Sequence, residues 1–85
     1  MNKEDQKSFY ARVGRALTDA RKRRNMSIAT LSKQSGEQYK TIQDIEAGRV
    51  CSLHHVVWMS RVLGIDINEI AREGKQSGIR IEDII

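Results

Sequence analysis

The chain contains no proline, one cysteine and only four aromatic residues among its 85 residues. This composition disfavours a β-sandwich or a barrel and predicts a small all-α bundle instead. The single cysteine, Cys51, excludes an internal disulfide and fits a reducing cytosol. A chain of this length is expected to form one domain with a modest hydrophobic core.

The sequence also lacks an apolar run long enough to span a membrane and a charged-then-apolar leader. It has no glycine-rich phosphate loop and no nucleophile–base pair, and it offers too little scaffold for a catalytic cleft. Cys51, His54 and His55 lack a second ligand pair, which makes their spacing poor for zinc. We therefore expect a soluble, cytoplasmic protein that is not an enzyme and that binds no membrane, metal or cofactor.

Positive charge is concentrated in the first part of the chain. Residues 1–49 carry eleven Lys and Arg against six Asp and Glu, whereas residues 50–85 carry four against five. A basic half indicates a polyanionic partner such as nucleic acid, although a solvated surface has the same composition. Charge alone does not decide between these two interpretations.

Two short helical patterns are joined by a glycine between Ser27 and Gly48. The first begins after Ser27, a favourable N-cap, and ends at Gly36, while the second places Ile42 and Ile45 on its buried side. Helices joined by so short a turn cannot lie antiparallel and must cross steeply, so one of them projects as a ridge. In a basic protein, this pattern predicts a helix-turn-helix that binds DNA.

Helical periodicity predicts three further helices, at about residues 5–24, 53–63 and 67–73. The helix at 53–63 is apolar on two sides. The side that we expect to face the core contains Leu53, Val56, Val57, Ser60 and Leu63, with Met59 beside them.

The last residues form a separate tail. Gly74–Gly78 is typical of a hinge, so we divide the chain into a domain at residues 1–73 and a tail at residues 74–85. Residues 79–85 fit either a strand or a helical turn, and both assignments stay open. The tail is a possible dimerisation segment.

Several short motifs follow one another between Val13 and Ala71. They are Val13-Gly14, Arg21, Leu31-Ser32, Ile42-x-x-Ile45-Glu46-x-Gly48 and Leu63-Gly64-Ile65-Asp66. In this order and spacing, the chain resembles the lambda-repressor/Cro type of helix-turn-helix protein, often called the XRE family. The resemblance implies a compact, lambda-repressor-like bundle of five helices, in which the second and third helices form the helix-turn-helix.

Three positions depart from the pattern of that family. Ile28 stands where the family usually has a glutamine that meets the DNA backbone, and Ala47 replaces an asparagine near a phosphate. Glu37 occupies a position that is usually apolar. We therefore expect phosphates to be bound through backbone amides and through lysine and arginine side chains.

The resemblance assigns base recognition to the N-terminal part of the third helix, which lies in the major groove in such proteins. Side chains there can hydrogen-bond to base edges or contact a thymine methyl, although an exposed polar face would look the same. Asp44 lies on the same side, where it can accept from cytosine N4 or repel phosphate. The candidate base-contacting residues are Gln38, Tyr39, Lys40, Thr41 and Gln43.

The resemblance also implies phosphate contacts and one structural ion pair. Arg49, directly after the third helix, is the first candidate for a phosphate contact, followed by Ser27 and Lys33 on the second helix. Arg21 and Glu46 resemble the family's ion pair between the first helix and the end of the third. Such a pair would fix the recognition helix against the scaffold.

His55, Trp58 and Val62 form the second apolar side of the helix at 53–63. We expect this side to be a homodimer interface, because exposed apolar patches mark contact sites. The alternative is that the tail or the fifth helix covers it. A dimer would place two recognition helices about one DNA turn apart, ~34 Å, and would bind a near-palindromic operator.

These observations predict a sequence-specific transcription regulator that binds double-stranded DNA, most simply a repressor or autoregulator. Three origins stay open: a phage repressor or Cro, the controller protein of a restriction–modification system, and a regulator of a plasmid or conjugative element. The rival function is an antitoxin whose DNA binding is autoregulatory and whose tail binds a toxin. A protein partner would then be a toxin or RNA polymerase.

Overall fold

The computed structural model describes residues 2–70, and all regular structure in that range is helical. The helices are α1 (Lys3–Arg23), α2 (Ile28–Ser35), α3 (Tyr39–Glu46) and α4 (Leu53–Leu63). Residues 67–70 form the start of a fifth helix. The predicted all-α class is confirmed, whereas the predicted end of the fifth helix, the hinge at Gly74–Gly78 and the tail lie outside the described residues.

Local sequence signals explain where the helices begin and end. The Asn2 side chain caps α1 by accepting from the Asp5 N–H at 2.8 Å, and the Ser27 hydroxyl caps α2 by accepting from the Thr30 N–H at 3.0 Å. Gly36 ends α2 in the left-handed conformation, with φ +79°. Both ends of α1 lie within two residues of their predicted positions.

One hydrophobic core holds the helix pair α2–α3 against α1 and α4. α1 packs against both α3 and α4, and α2 contacts the same two helices. Every helix therefore contributes to the same interior. The fully buried side chains in it include Val13, Leu17, Leu31, Ile42, Val56 and Met59.

The buried side of α4 agrees with the predicted stripe at Val56, Ser60 and Leu63 but not at its other two residues. Leu53 and Val57, which we expected to face the core, are 53% and 38% exposed, whereas Met59 is 1% exposed. Consecutive residues lie about 100° apart on a helix, so Val57 lies well around the helix from the buried Val56. Leu53 is on the same side as Val56 and Ser60, but it is the first residue of α4 and stands about one turn before Val56, the first buried residue of the helix. The remaining buried residues of α4 are Ser60 and Leu63.

Gly14 lets α1 approach the end of α3 closely. A Cβ atom at this position would lie 2.6 Å from the Ile45 carbonyl oxygen and 2.8 Å from that of Glu46. Only glycine avoids this clash, because both neighbours are backbone atoms. The close approach positions α3 relative to the scaffold.

None of the helices within residues 2–70 has the length and apolar character needed to cross a membrane.

Candidate nucleic-acid interface

A bidentate ion pair fixes the end of α3 to the end of α1. Arg21 Nε donates to Glu46 Oε2 at 2.7 Å, and Arg21 Nη2 donates to Glu46 Oε1 at 2.9 Å. Each side chain is only 11% exposed. The hydrogen bonds to Glu46 raise the pKa of Arg21. We call Arg21 and Glu46 the inner pair.

The inner pair also reaches the turn before α2. Arg21 Nη1 donates to the Met26 carbonyl oxygen at 2.7 Å. One guanidinium therefore links α1, the start of the helix-turn-helix and the last residue of α3. Spacing alone does not indicate the contact with Met26.

The predicted base-contacting residues differ in their exposure. Gln38, Tyr39, Lys40 and Gln43 are exposed, and Tyr39 retains 49% of its surface. Thr41 is half-buried and lies one helical turn before the buried Ile45. The structure thus brings four of these five side chains to the solvent side of α3 or its N-terminus and places Thr41 at its flank.

A second ion-pair cluster lies on the solvent side of α3. Asp44 Oδ1 is 2.8 Å from Lys40 Nζ and 3.0 Å from Arg49 Nη1. The side chains of Lys40 and Arg49 are 67% and 66% exposed. The hydrogen bond from Lys40, followed by the charges of Lys40 and Arg49, lowers the pKa of the Asp44 carboxyl. We call these three residues the outer cluster.

The outer cluster joins two residues for which the sequence predicts separate roles in DNA binding. Lys40 is a predicted base contact, and Arg49 is a predicted phosphate contact, yet both bind the same carboxylate oxygen. The spacing of Lys40 and Asp44, four residues apart on a helix, indicates one half of this cluster. The contact with Arg49 depends on the turn after α3, where the Arg49 N–H donates to the Asp44 carbonyl oxygen at 3.1 Å.

The N-terminus of α2 has exposed groups of the kind that bind anions. Ser27 and Lys33 are exposed, and the Ser27 hydroxyl serves as the N-cap. The first N–H groups of a helix have no acceptor within the helix and can bind an anion. Ile28 is partly buried against the core, so its side chain faces inward rather than toward a ligand.

The three residues expected at a dimer interface lie in different environments. His55 is half-buried, with Nδ1 2.9 Å from Glu37 Oε2 but without the direction of a hydrogen bond. Val62 is half-buried against the core. Trp58 is 45% exposed, and its Nε1 donates to the Ser35 carbonyl oxygen at 2.7 Å. The end of α2 and Glu37 therefore cover part of this side of α4.

An exposed apolar strip runs along α4 beside Trp58. It contains Leu53, Val57 and Trp58, with 53%, 38% and 45% of their surfaces exposed. Val50, in the segment before α4, is 53% exposed. This strip was not predicted from the sequence, because helical periodicity assigned Leu53 and Val57 to the core side of α4.

Cys51 is held in the fold by a hydrogen bond with α1. It is half-buried, its carbonyl oxygen accepts from the Tyr10 hydroxyl at 2.7 Å, and burial raises the pKa of its thiol. Within residues 2–70, His, Cys, Asp and Glu form no group of three that could hold a metal ion.

Residues 17–70 match a family model described as helix-turn-helix. This segment covers more than half of the chain and includes both helices of the pair, α2 and α3. The chain belongs to the helix-turn-helix family. It is a DNA-binding regulator of the lambda-repressor/Cro type, as the motif spacing predicted. Comparisons with curated proteins and with solved structures give no match.

Proposed function

We propose that this helix-turn-helix regulator binds a near-palindromic operator as a homodimer and represses transcription by occupying a promoter. The observation that supports this most strongly is the exposed polar side of α3, which the inner pair fixes to α1. Gln38, Tyr39, Lys40 and Gln43 would contact base edges in the major groove. Arg49 and Lys33, together with the N-terminus of α2, would bind the flanking phosphates.

The homodimer rests on a separate feature, the exposed strip of Leu53, Val57 and Trp58. Leu53 and Val57 are one helical turn apart and Trp58 adjoins Val57, and exposed apolar patches of this kind commonly mark a protein contact. A two-fold axis at this strip would pair α4 with its copy and repeat the recognition helix. We expect Trp58 to be the central contact, because its indole N–H is already bonded within the chain and its exposed ring surface is free to pack.

Binding-site selection from random duplexes, repeated at two salt concentrations, tests the DNA-binding proposal. We expect a symmetric motif whose affinity falls steeply with salt, because phosphate contacts release counterions. An absence of enrichment over random DNA would contradict the proposal. An asymmetric single half-site would retain the base contacts but contradict the dimer.

Analytical ultracentrifugation tests the dimer directly. Leu53→Lys introduces a charge into the exposed strip without disturbing the core, and we expect it to convert a dimer into a monomer. Arg15→Glu, on the exposed surface of α1, reverses a charge on a different helix and serves as the control. If wild type is a monomer at all concentrations, the strip is not a dimer interface. A stoichiometric protein partner that is lost on deleting residues 75–85 would instead support an antitoxin.

A further inference from the structure

We propose that Asp44 is a specificity-determining residue, which competes with DNA phosphates for Lys40 and Arg49. The inference rests on the proposed function and deepens it. In the free protein, Lys40, a proposed base contact, and Arg49, a proposed phosphate contact, share one oxygen of Asp44, at 2.8 and 3.0 Å. Any phosphate that binds either cation must share it with Asp44 or displace it.

The outer cluster does little to hold the fold together. Exposed ion pairs contribute little to stability, since water screens them and two long side chains lose freedom. The position of α3 is set instead by its buried side, through Gly14, the inner pair, Ile42 and Ile45. An acidic residue in the middle of the DNA-facing surface therefore has its main effect on binding rather than on folding.

Asp44 is charged wherever the protein would meet DNA at neutral pH. Lys40 and Arg49 lower the pKa of its carboxyl below the ordinary range. The carboxylate also repels phosphates that approach Lys40 and Arg49. Non-specific DNA offers these cations phosphates alone, so this competition weakens binding to every sequence.

A matching operator offers something more than phosphates. The amino group of cytosine N4 can donate to a carboxylate, and guanine O6 and N7 can accept from a lysine. Lys40 and Asp44 are adjacent on the same side of α3, so they could contact neighbouring bases without separating. At such a site the base contacts of Lys40 and Asp44 offset the cost of separating Asp44 from Arg49, and the penalty applies mainly to wrong sequences.

Asp44→Asn tests this inference because it removes the charge and keeps the shape. The selected operator and a random duplex of equal length are titrated with each protein at several salt concentrations. For the random duplex, we expect affinity to rise about fivefold or more and the salt slope to steepen by about one to two phosphates. The operator should gain less, so the ratio of the two affinities should fall.

Asp19→Asn is the matched control. Asp19 is an exposed acid on α1, beside the groove lined by Ile65, Asp66 and Glu69, and its substitution makes the same change in net charge. If both variants raise random-duplex affinity equally, Asp44 acts only through net charge and the inference is overturned. The inference is also overturned if Asp44→Asn leaves the ratio of operator affinity to random-duplex affinity unchanged.

A second measurement compares the loss caused by Arg49→Ala in two backgrounds. If Asp44 holds Arg49 back from phosphates, Arg49→Ala should weaken random-duplex binding more in Asp44→Asn than in wild type. Equal losses would overturn the inference. If wild type prefers no sequence, the proposed function fails as well, and that result is distinguishable because no operator would emerge from selection.

Discussion

The two ion-pair groups on α3 use the same chemistry in opposite surroundings. Asp44 and Glu46 are two residues apart, which places them on roughly opposite sides of the helix. The inner pair is 11% exposed and bidentate, whereas Lys40 and Arg49 in the outer cluster are about two-thirds exposed. Burial makes the inner pair a structural link, whereas exposure leaves the cations of the outer cluster accessible to other partners.

The largest effect should come from Gly14→Ala, which acts on the buried side of α3. The new Cβ would clash with two carbonyl oxygens at the end of α3, so α1 and α3 must separate. We expect a loss of about 3 kcal/mol in the free energy of unfolding, measured by urea denaturation. Gly36→Ala is the control, because it has nothing within 4 Å and suffers only from φ +79°, which costs about 1 kcal/mol. Equal losses would show that α1 and α3 are not in close contact.

Glu46→Ala should have the next largest effect, and it compares the two groups directly. It strands the Arg21 guanidinium in a partly buried position, at a cost of about 2–3 kcal/mol. For a domain of this size, that loss lowers the Tm by about 10–20 °C. Asp44→Ala should leave the Tm unchanged, since the outer cluster is exposed. Similar Tm values for the two variants would show that burial does not separate the two groups.

Lys40→Ala and Arg49→Ala should divide the outer cluster by function. The first removes the proposed base contact, so it should alter sequence preference and weaken operator binding by about 1–3 kcal/mol. The second removes the proposed phosphate contact, so it should weaken binding to all sequences about equally and reduce the salt slope by about one. Fluorescence anisotropy with operator and random duplexes measures both. The reverse pattern would exchange the roles of these two residues.

The smallest effect concerns the pKa of Asp44. Lys40 and Arg49 lower it, so the carboxylate keeps its partners above its unfolded pKa and loses them as pH falls through the lower folded value. Carboxyl NMR should therefore show Asp44 titrating below the ordinary value of about 3.9. Lys40→Ala should move the midpoint upward. A midpoint that Lys40→Ala leaves in place would show that the outer cluster does not persist in solution.

The helix order and the buried side of α3 were predictable because each rests on a local signal. Ser27 and Gly36 define α2 through capping chemistry, and Ile42 and Ile45 recur at helical spacing. The motif Ile42-x-x-Ile45-Glu46-x-Gly48 indicated the family before any tertiary contact was known. These features depend on neighbours within a few residues along the chain.

The surface of α4 was not predictable in the same way. Periodicity identified Val56, Ser60 and Leu63 on the core side, but it does not decide how far around the helix the burial extends. The packing of α1 and α2 buries Val56 and Met59 and leaves Leu53 and Val57 exposed. The contact between Trp58 and the Ser35 carbonyl oxygen likewise joins residues from different helices.

The sequence by itself determined that this chain is an all-α helix-turn-helix regulator with polar residues at the start of its recognition helix. Periodicity, caps and motif spacing carry that information, because they act between residues close together in the chain. Only the tertiary structure decided that Arg21 also binds the Met26 carbonyl, that Thr41 lies at the flank, and that Asp44 holds two exposed cations on one oxygen. Those outcomes depend on how the helices cross and where the turn after α3 returns, which local spacing does not specify.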